Sequence, residues 1–314
     1  MRDFRLLFMK LKHLFLPLFA LSLAFVSCGG DDDDTPGGGG ESVSTKNDNK
    51  NPSSIKDADR LEMPRLVSSD KDVFIVHKTD DGLYNYSMEY NTAALHSRWV
   101  AYRYDTKLAA KNFTTRTDAW AAEPALKNYS FAQVAVQLFN GYQRGHILGS
   151  AERYYSKQAN EQTFYMSNMS PMLAAFNTTY WGTVEDKVRD DWGRPISTGD
   201  TLYVVKGGTI DQVNTRIPIT NTVGSTTYMA VPKYYFIALL KRTSTGALSA
   251  IGFFLEHKDY KNTSVKFLSE LPRQSALSID DLEAKTGIDF FCNLPDEVEK
   301  IVESTYSLSQ WKGL

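Results

Sequence analysis

The hydrophobic pattern of this chain changes period near its middle, and that change restricts the fold more than any other feature. Before it, the apolar runs are short and strand-like. Val73-Phe74-Ile75-Val76-His77, Tyr84 to Tyr90 and Arg98 to Tyr104 are rich in β-branched and aromatic residues. From Thr179 to Trp192 the spacing becomes helical. Val184 and Val188 lie four apart, as do Trp181 and Glu185 on another face, and Gly193 and Pro195 stop the run. Strand-type runs then resume at Leu202 to Val205, Tyr234 to Leu240 and Ala250 to Leu255. Two short helices are predicted near the end. Ser278 caps an acidic first turn that Gly287 ends, and a second helix runs from Asp296 to Tyr306 after Pro295. Phe131 to Phe139 reads as a further strand, Phe164 to Asn168 as a short one broken at Pro171, and Gly207-Gly208 as a turn. Many strands with few helices, not strictly alternating, predict an α+β fold.

The N-terminal region has another character. Lys10 and Lys12 precede an apolar run from Leu14 to Val26, too short to span a bilayer and fit for the hydrophobic part of a secretory signal. It ends at Ser27-Cys28-Gly29, which resembles a bacterial lipoprotein signal with Cys28 as the lipidated residue. Residues 1–28 are therefore expected to be a signal and 29–60 an acidic, Gly-rich tether, with the globular domain at 61–314. The acidic run Asp31 to Asp34 fits either a surface-export signal or a solvated spacer. The expected location is outside the cytoplasm, lipid-anchored to a bacterial outer membrane. Of the two cysteines, a lipidated Cys28 leaves Cys292 without a disulfide partner; the alternative is a Cys28–Cys292 bridge. Net charge is −2, so no global basic field announces nucleic acid, and any such contact must come from a local groove.

Within the domain, Gly141-Tyr142-Gln143-Arg144-Gly145-His146 sets an imidazole one glycine away from a guanidinium. The helical stretch that follows carries Asn177 and Glu185, eight apart. On an α-helix this turns the face by only about 80°. A neutral imidazole can accept a proton from water, and an arginine clamps phosphate. An amide oxygen with a nearby carboxylate suffices for Mg²⁺, which keeps most of its waters. Together His146, Arg116, Arg144, Asn177 and Glu185 suit metal-assisted cleavage of a phosphodiester. Each alone has a plainer reading: Asn177 as a helix cap, Glu185 as partner of Arg189, Arg116 as a surface loop residue, Trp181 as core.

At these residues the chain resembles the sugar-non-specific ββα-metal endonucleases, the DNA/RNA non-specific endonuclease family that includes mitochondrial endonuclease G. The family signature Asp-Arg-Gly-His reads here Gln143-Arg144-Gly145-His146; Asn-Met-x-Pro reads Asn168-Met169-Ser170-Pro171; Asn-x-x-x-Trp-x-x-x-Glu reads Asn177, Trp181, Glu185. Likeness extends from about Tyr84 to Glu303. The resemblance implies a central antiparallel sheet with flanking helices and a ββα-metal motif. It implies His146 as general base, Asn177 as ligand of one Mg²⁺ (Mn²⁺ as a substitute) and Glu185 holding metal-bound water. It further implies Asn168 beside the scissile phosphate, Arg116 stabilising the transition state, and Arg144 in phosphate contact or site ordering. DNA and RNA are the implied substrates, with 5′-phosphate products. Homodimers occur in the family, and no interface is visible in this sequence. Gln143 departs from the usual Asp and loses a charge while keeping hydrogen bonding. The alternative reading is a catalytically weakened nucleic-acid-binding surface lipoprotein.

Overall fold

The computed structural model describes residues 45–67, 69–129, 133–261 and 264–314. Seven antiparallel strands form one sheet in the order β1-β2-β3-β6-β9-β10-β11. Their ranges are β1 Asp72–Lys78, β2 Tyr84–Asn91, β3 His96–Tyr104, β6 Thr201–Gly208, β9 Tyr234–Arg242, β10 Leu248–Glu256 and β11 Ala276–Leu277. Two hairpins stand apart from it: β4 Gln143–His146 with β5 Met169–Met172, and β7 Val213–Thr220 with β8 Thr226–Pro232.

Period-two alternation sends the central strands' side chains to two separate cores. On β9, Tyr235, Ile237 and Leu239 join one core while Phe236, Ala238 and Leu240 join the other. On β3, Val100, Tyr102 and Tyr104 face the first and Trp99 and Ala101 the second. Both faces must therefore be covered. The first is covered by a continuous helix, α2, built of Phe176–Trp181, Gly182–Asp186 and Lys187–Gly193. Its central turn is α-helical and the outer two are wide π-type turns, as in Arg194 N–H to the Arg189 carbonyl. Trp181, Val184, Val188 and Trp192 bury its inner stripe. The second face is covered by α4 Ile279–Thr286 and α5 Asp296–Glu303. Short helices α1 Lys157–Gln162 and α3 Val265–Gln274 complete the set. The predicted caps of α4 are present: Ser278 Oγ accepts from Asp281 N–H at 3.1 Å, and Gly287 adopts φ +69°. No described helix is long and apolar enough to cross a membrane.

Several expectations give way. Phe131–Phe139 is not a strand over its described part, where Val134 and Phe139 make only isolated bridges; too few flanking partners exist for a ladder. Pro171 does not end a strand but sits inside β5 opposite Arg144, tolerated because β5 pairs on one side only. Gly207 and Gly208 lie within β6, where a Cβ on Gly207 would lie 2.6 Å from the Arg98 carbonyl oxygen. The described chain begins within the stretch expected to be a tether. Residues from Lys46 onward pack on the C-terminal segment, with Asn47 Nδ2 donating to the Cys292 carbonyl at 2.9 Å and Asp296 N–H donating to the Lys46 carbonyl at 2.9 Å. Cys292 is buried as a free thiol; Cys28 and residues 1–44 lie outside the described residues.

Candidate active site

The hairpin β4–β5 followed by α2 is a ββα unit, and it gathers most of the predicted residues. Gly141 takes φ +78°, turning the chain into β4. In the ladder His146 stands opposite Met169 and Gln143 opposite Met172. Gly145 must lack a side chain, because a Cβ there would collide with the Met172 thioether. β5 is held from behind: Ser170 Oγ bonds His96 Nε2 and the Tyr235 hydroxyl, each at 2.6 Å. The entry to α2 is held by His257, whose Nε2 accepts Leu173 N–H at 2.8 Å while Nδ1–H donates to the Pro232 carbonyl at 2.9 Å.

Arg144 and His146 share one face of β4, and an aromatic wall receives them. The His146 ring packs edge-on against Trp120 and Phe164, at centroid distances of 5.7 and 5.0 Å. The Arg144 guanidinium lies 3.5 Å from the Trp120 ring centroid, and that of Arg116 lies 4.7 Å from Phe164. Arg116 is fixed by Asp118 Oδ1 at 2.8 Å and Ser150 Oγ at 3.2 Å. His146 Nε2 is buried with no hydrogen-bond partner among the described residues. Burial, with the charges of Arg116 and Arg144, pushes the imidazole down to about 3, so it is neutral at physiological pH.

Asn177 reaches the same strand from α2, its Nδ2 donating to Gln143 Oε1 at 2.8 Å. This leaves Asn177 Oδ1 as the acceptor available to a hard cation. The contact explains how a neutral Gln143 fits: it supplies the acceptor oxygen that fixes the amide's orientation.

Glu185, two turns further along, lies beneath the loop that leaves β4. A Cβ on Gly149 would come within 2.6 Å of its Oε1. That oxygen accepts from Lys206 Nζ at 3.2 Å, and Lys206 also binds Glu152 Oε2 at 2.6 Å. Glu152 takes further bonds from the Tyr102 hydroxyl at 2.5 Å and Gly149 N–H at 2.8 Å. Burial and the neighbouring Glu152 hold Glu185 above the usual carboxylate range, against the opposing pull of Lys206. A carboxylate so placed is short of positive charge, and with the Asn177 oxygen it makes an all-oxygen donor set of the kind Mg²⁺ takes.

Asn168 is fully buried, Nδ2 donating to the carbonyls of Leu148 and Thr163 at 2.9 and 2.8 Å and Oδ1 accepting Leu148 N–H at 3.0 Å. These bonds pin the loop after His146. The sequence reading passed over Trp120, Glu152 and Lys206. Lys206 carried a signal: a lone lysine continuing the apolar run Leu202–Val205 implies a buried carboxylate partner.

A two-stranded hairpin and helix that present an imidazole, a guanidinium and an amide oxygen, with the Arg116 guanidinium brought up from a loop, define the ββα class of nuclease. A family profile described as DNA/RNA non-specific endonuclease matches residues 75–297. A nuclease of Nostoc sp. is 27% identical over 224 residues, spanning 70% of this chain and 75% of the relative. The mitochondrial nuclease of Saccharomyces cerevisiae is 26% identical over 225 residues, 67% of this chain and 65% of the relative. A nuclease of Serratia marcescens is 22% identical over 231 residues, 70% and 77% of the two chains. A chain of the EndoG/EndoGI complex, crystallised in a study of EndoG inhibition, superposes with TM-score 0.50 at 18% identity. It covers 70% of this chain and 86% of that one, a likeness of fold. The chain belongs to the DNA/RNA non-specific endonuclease family.

Proposed function

We propose that this chain is a metal-dependent, sugar-non-specific endonuclease that hydrolyses phosphodiester bonds in DNA and RNA and leaves 5′-phosphates. The observation that carries the reading is the buried, unpartnered Nε2 of neutral His146 set between Arg116 and Arg144 on one aromatic wall. Asn177 Oδ1, with Glu185 nearby, would hold Mg²⁺. When bound, the ion supplies charge balance for the phosphate and the leaving oxygen.

Arg116 and Arg144 bind the phosphate oxygens and orient the scissile bond. His146 takes a proton from the attacking water. An incoming phosphate offsets the two arginine charges that depress the imidazole, so substrate binding itself raises the basicity of His146. Glu152 and Lys206 keep Glu185 in place beneath the loop, and Gln143 keeps the Asn177 oxygen turned outward. None of these groups reads a base edge, which supports cleavage of both nucleic acids with little sequence preference.

The second reading, a weakened binding protein, rested on Gln143. The Asn177–Gln143 bond speaks against decay, because the substituted residue still serves the amide. The proposed location is outside the cytoplasm, with Cys28 lipidated; its support is the basic and apolar leader alone. A plasmid-cleavage assay with Mg²⁺, Mn²⁺ or EDTA, with His146→Ala and Asn177→Ala alongside, tests the activity. Cleavage that survives EDTA or His146→Ala removes the mechanism.

A further inference from the structure

The sheet face opposite α2 carries a second set of oxygen donors. α4 and α5 lie on it with Ile279, Leu282, Val298 and Val302 in its core. Asp280 and Glu283 of α4 and Glu303 at the end of α5 each bring one carboxylate oxygen within 4.8 Å of the others. Glu303 is only 3% exposed, and its Oε1 is buried with no hydrogen-bond donor among the described residues. The Glu283 carboxylate accepts only Phe290 N–H, at 2.7 Å, among the hydrogen bonds of described residues. Beside the cluster, Asn49 donates Nδ2 to Glu299 Oε1 at 2.9 Å, and its own Oδ1 is also buried without a donor.

An ionised carboxylate buried without a partner is costly, and a cation is the usual remedy. Among the described residues no protein hydrogen-bond donor supplies it to the buried Oε1 of Glu303. Oxygens bound at the 2.3–2.6 Å distances typical of Ca²⁺ lie at most about 5 Å apart across the ion, and such ions accept carboxylates in flexible numbers. The set holds no imidazole or thiolate, which disfavours softer metals.

We propose that Asp280, Glu283 and Glu303 form a calcium-type divalent-cation site, separate from the nuclease centre, that ties α4 to α5. The ion would bridge helices joined by the segment 287–295, onto which Asn47 and Asn51 pack. It would thus brace the join between the chain's N-terminal segment and its C-terminal helices.

The test is calcium titration of the full chain carrying Asn177→Ala, which removes the amide ligand of the nuclease centre, read by calorimetry and by the thermal midpoint. The expected result is uptake of one Ca²⁺ with a rise in midpoint. Adding Glu303→Gln should weaken affinity at least tenfold and abolish the rise. Asp280→Asn, at an exposed position that leaves the core undisturbed, should weaken it several-fold, and covers the case in which the buried change impairs folding. Weakening by either substitution supports the site. No calcium uptake, or uptake that neither substitution weakens, overturns it.

Discussion

The two faces of the central sheet bury acidic side chains in opposite ways. On the α2 face, Glu152 and Glu185 share the ammonium of Lys206, a residue with no exposed side-chain surface. On the α4–α5 face, Glu283, Glu299 and Glu303 have no such ammonium, and burial pushes Glu299 up to about 7. The first arrangement has its own counter-charge, although burial and Glu152 still hold Glu185 above the usual carboxylate range. The second depends on the solution for protons or cations. In this chain the buried ammonium thus lies on the face that carries Glu185.

The comparison breaks first at His146. His146→Ala should lower plasmid cleavage by about 10²- to 10⁴-fold, the usual worth of a general base, while Glu303→Gln leaves cleavage unchanged. Equal losses in the two variants would erase the division between the faces. Lys206→Met comes next. It strands two carboxylates that its ammonium now balances, and should cost about 3–5 kcal/mol in urea unfolding. A small effect would mean that Glu152 and Glu185 protonate readily and that the balance is unimportant.

Gln143→Leu removes the acceptor that orients Asn177 and should weaken metal-dependent activity about 10- to 100-fold. Gln143→Asp keeps the acceptor and should retain activity, so a Leu variant as active as the wild type would refute the orienting role. A further effect is expected on the other face. In EDTA, a Glu303 pKa of about 10, against about 4.3 for an unfolded Glu, favours the folded protonated form. That contribution is complete below about pH 4.3 and is lost as pH rises toward 10. The stability advantage of Glu303→Gln over the wild type should therefore widen from pH 5 to pH 9. A gap that stays constant would show that Glu303 does not titrate across this range.

The same contrast explains what the sequence allowed to be read. α2 was legible because Val184 and Val188 mark its buried stripe, and α4 because Ser278 and Gly287 are local signals that need no tertiary context. The wide turns at both ends of α2 were not, since nothing local distinguishes them from α-helix. The β7–β8 hairpin escaped because its exposed Thr, Asn and Arg residues dilute the alternation. At the candidate site, motif spacing marked His146, Asn177 and Glu185. The burial of Asn168, the Gln143–Asn177 bond and the Trp120 wall all depend on contacts made between distant segments. Acidic residues on helices likewise read as solvated faces until α4 and α5 are seen side by side.

The entry of the chain at Lys46 has a directional consequence. Lys46 and Asn47 are fastened to Asp296, Cys292 and Leu294, on the side of the sheet away from α2. The first described residues thus join the domain on the face that α4 and α5 cover, opposite α2.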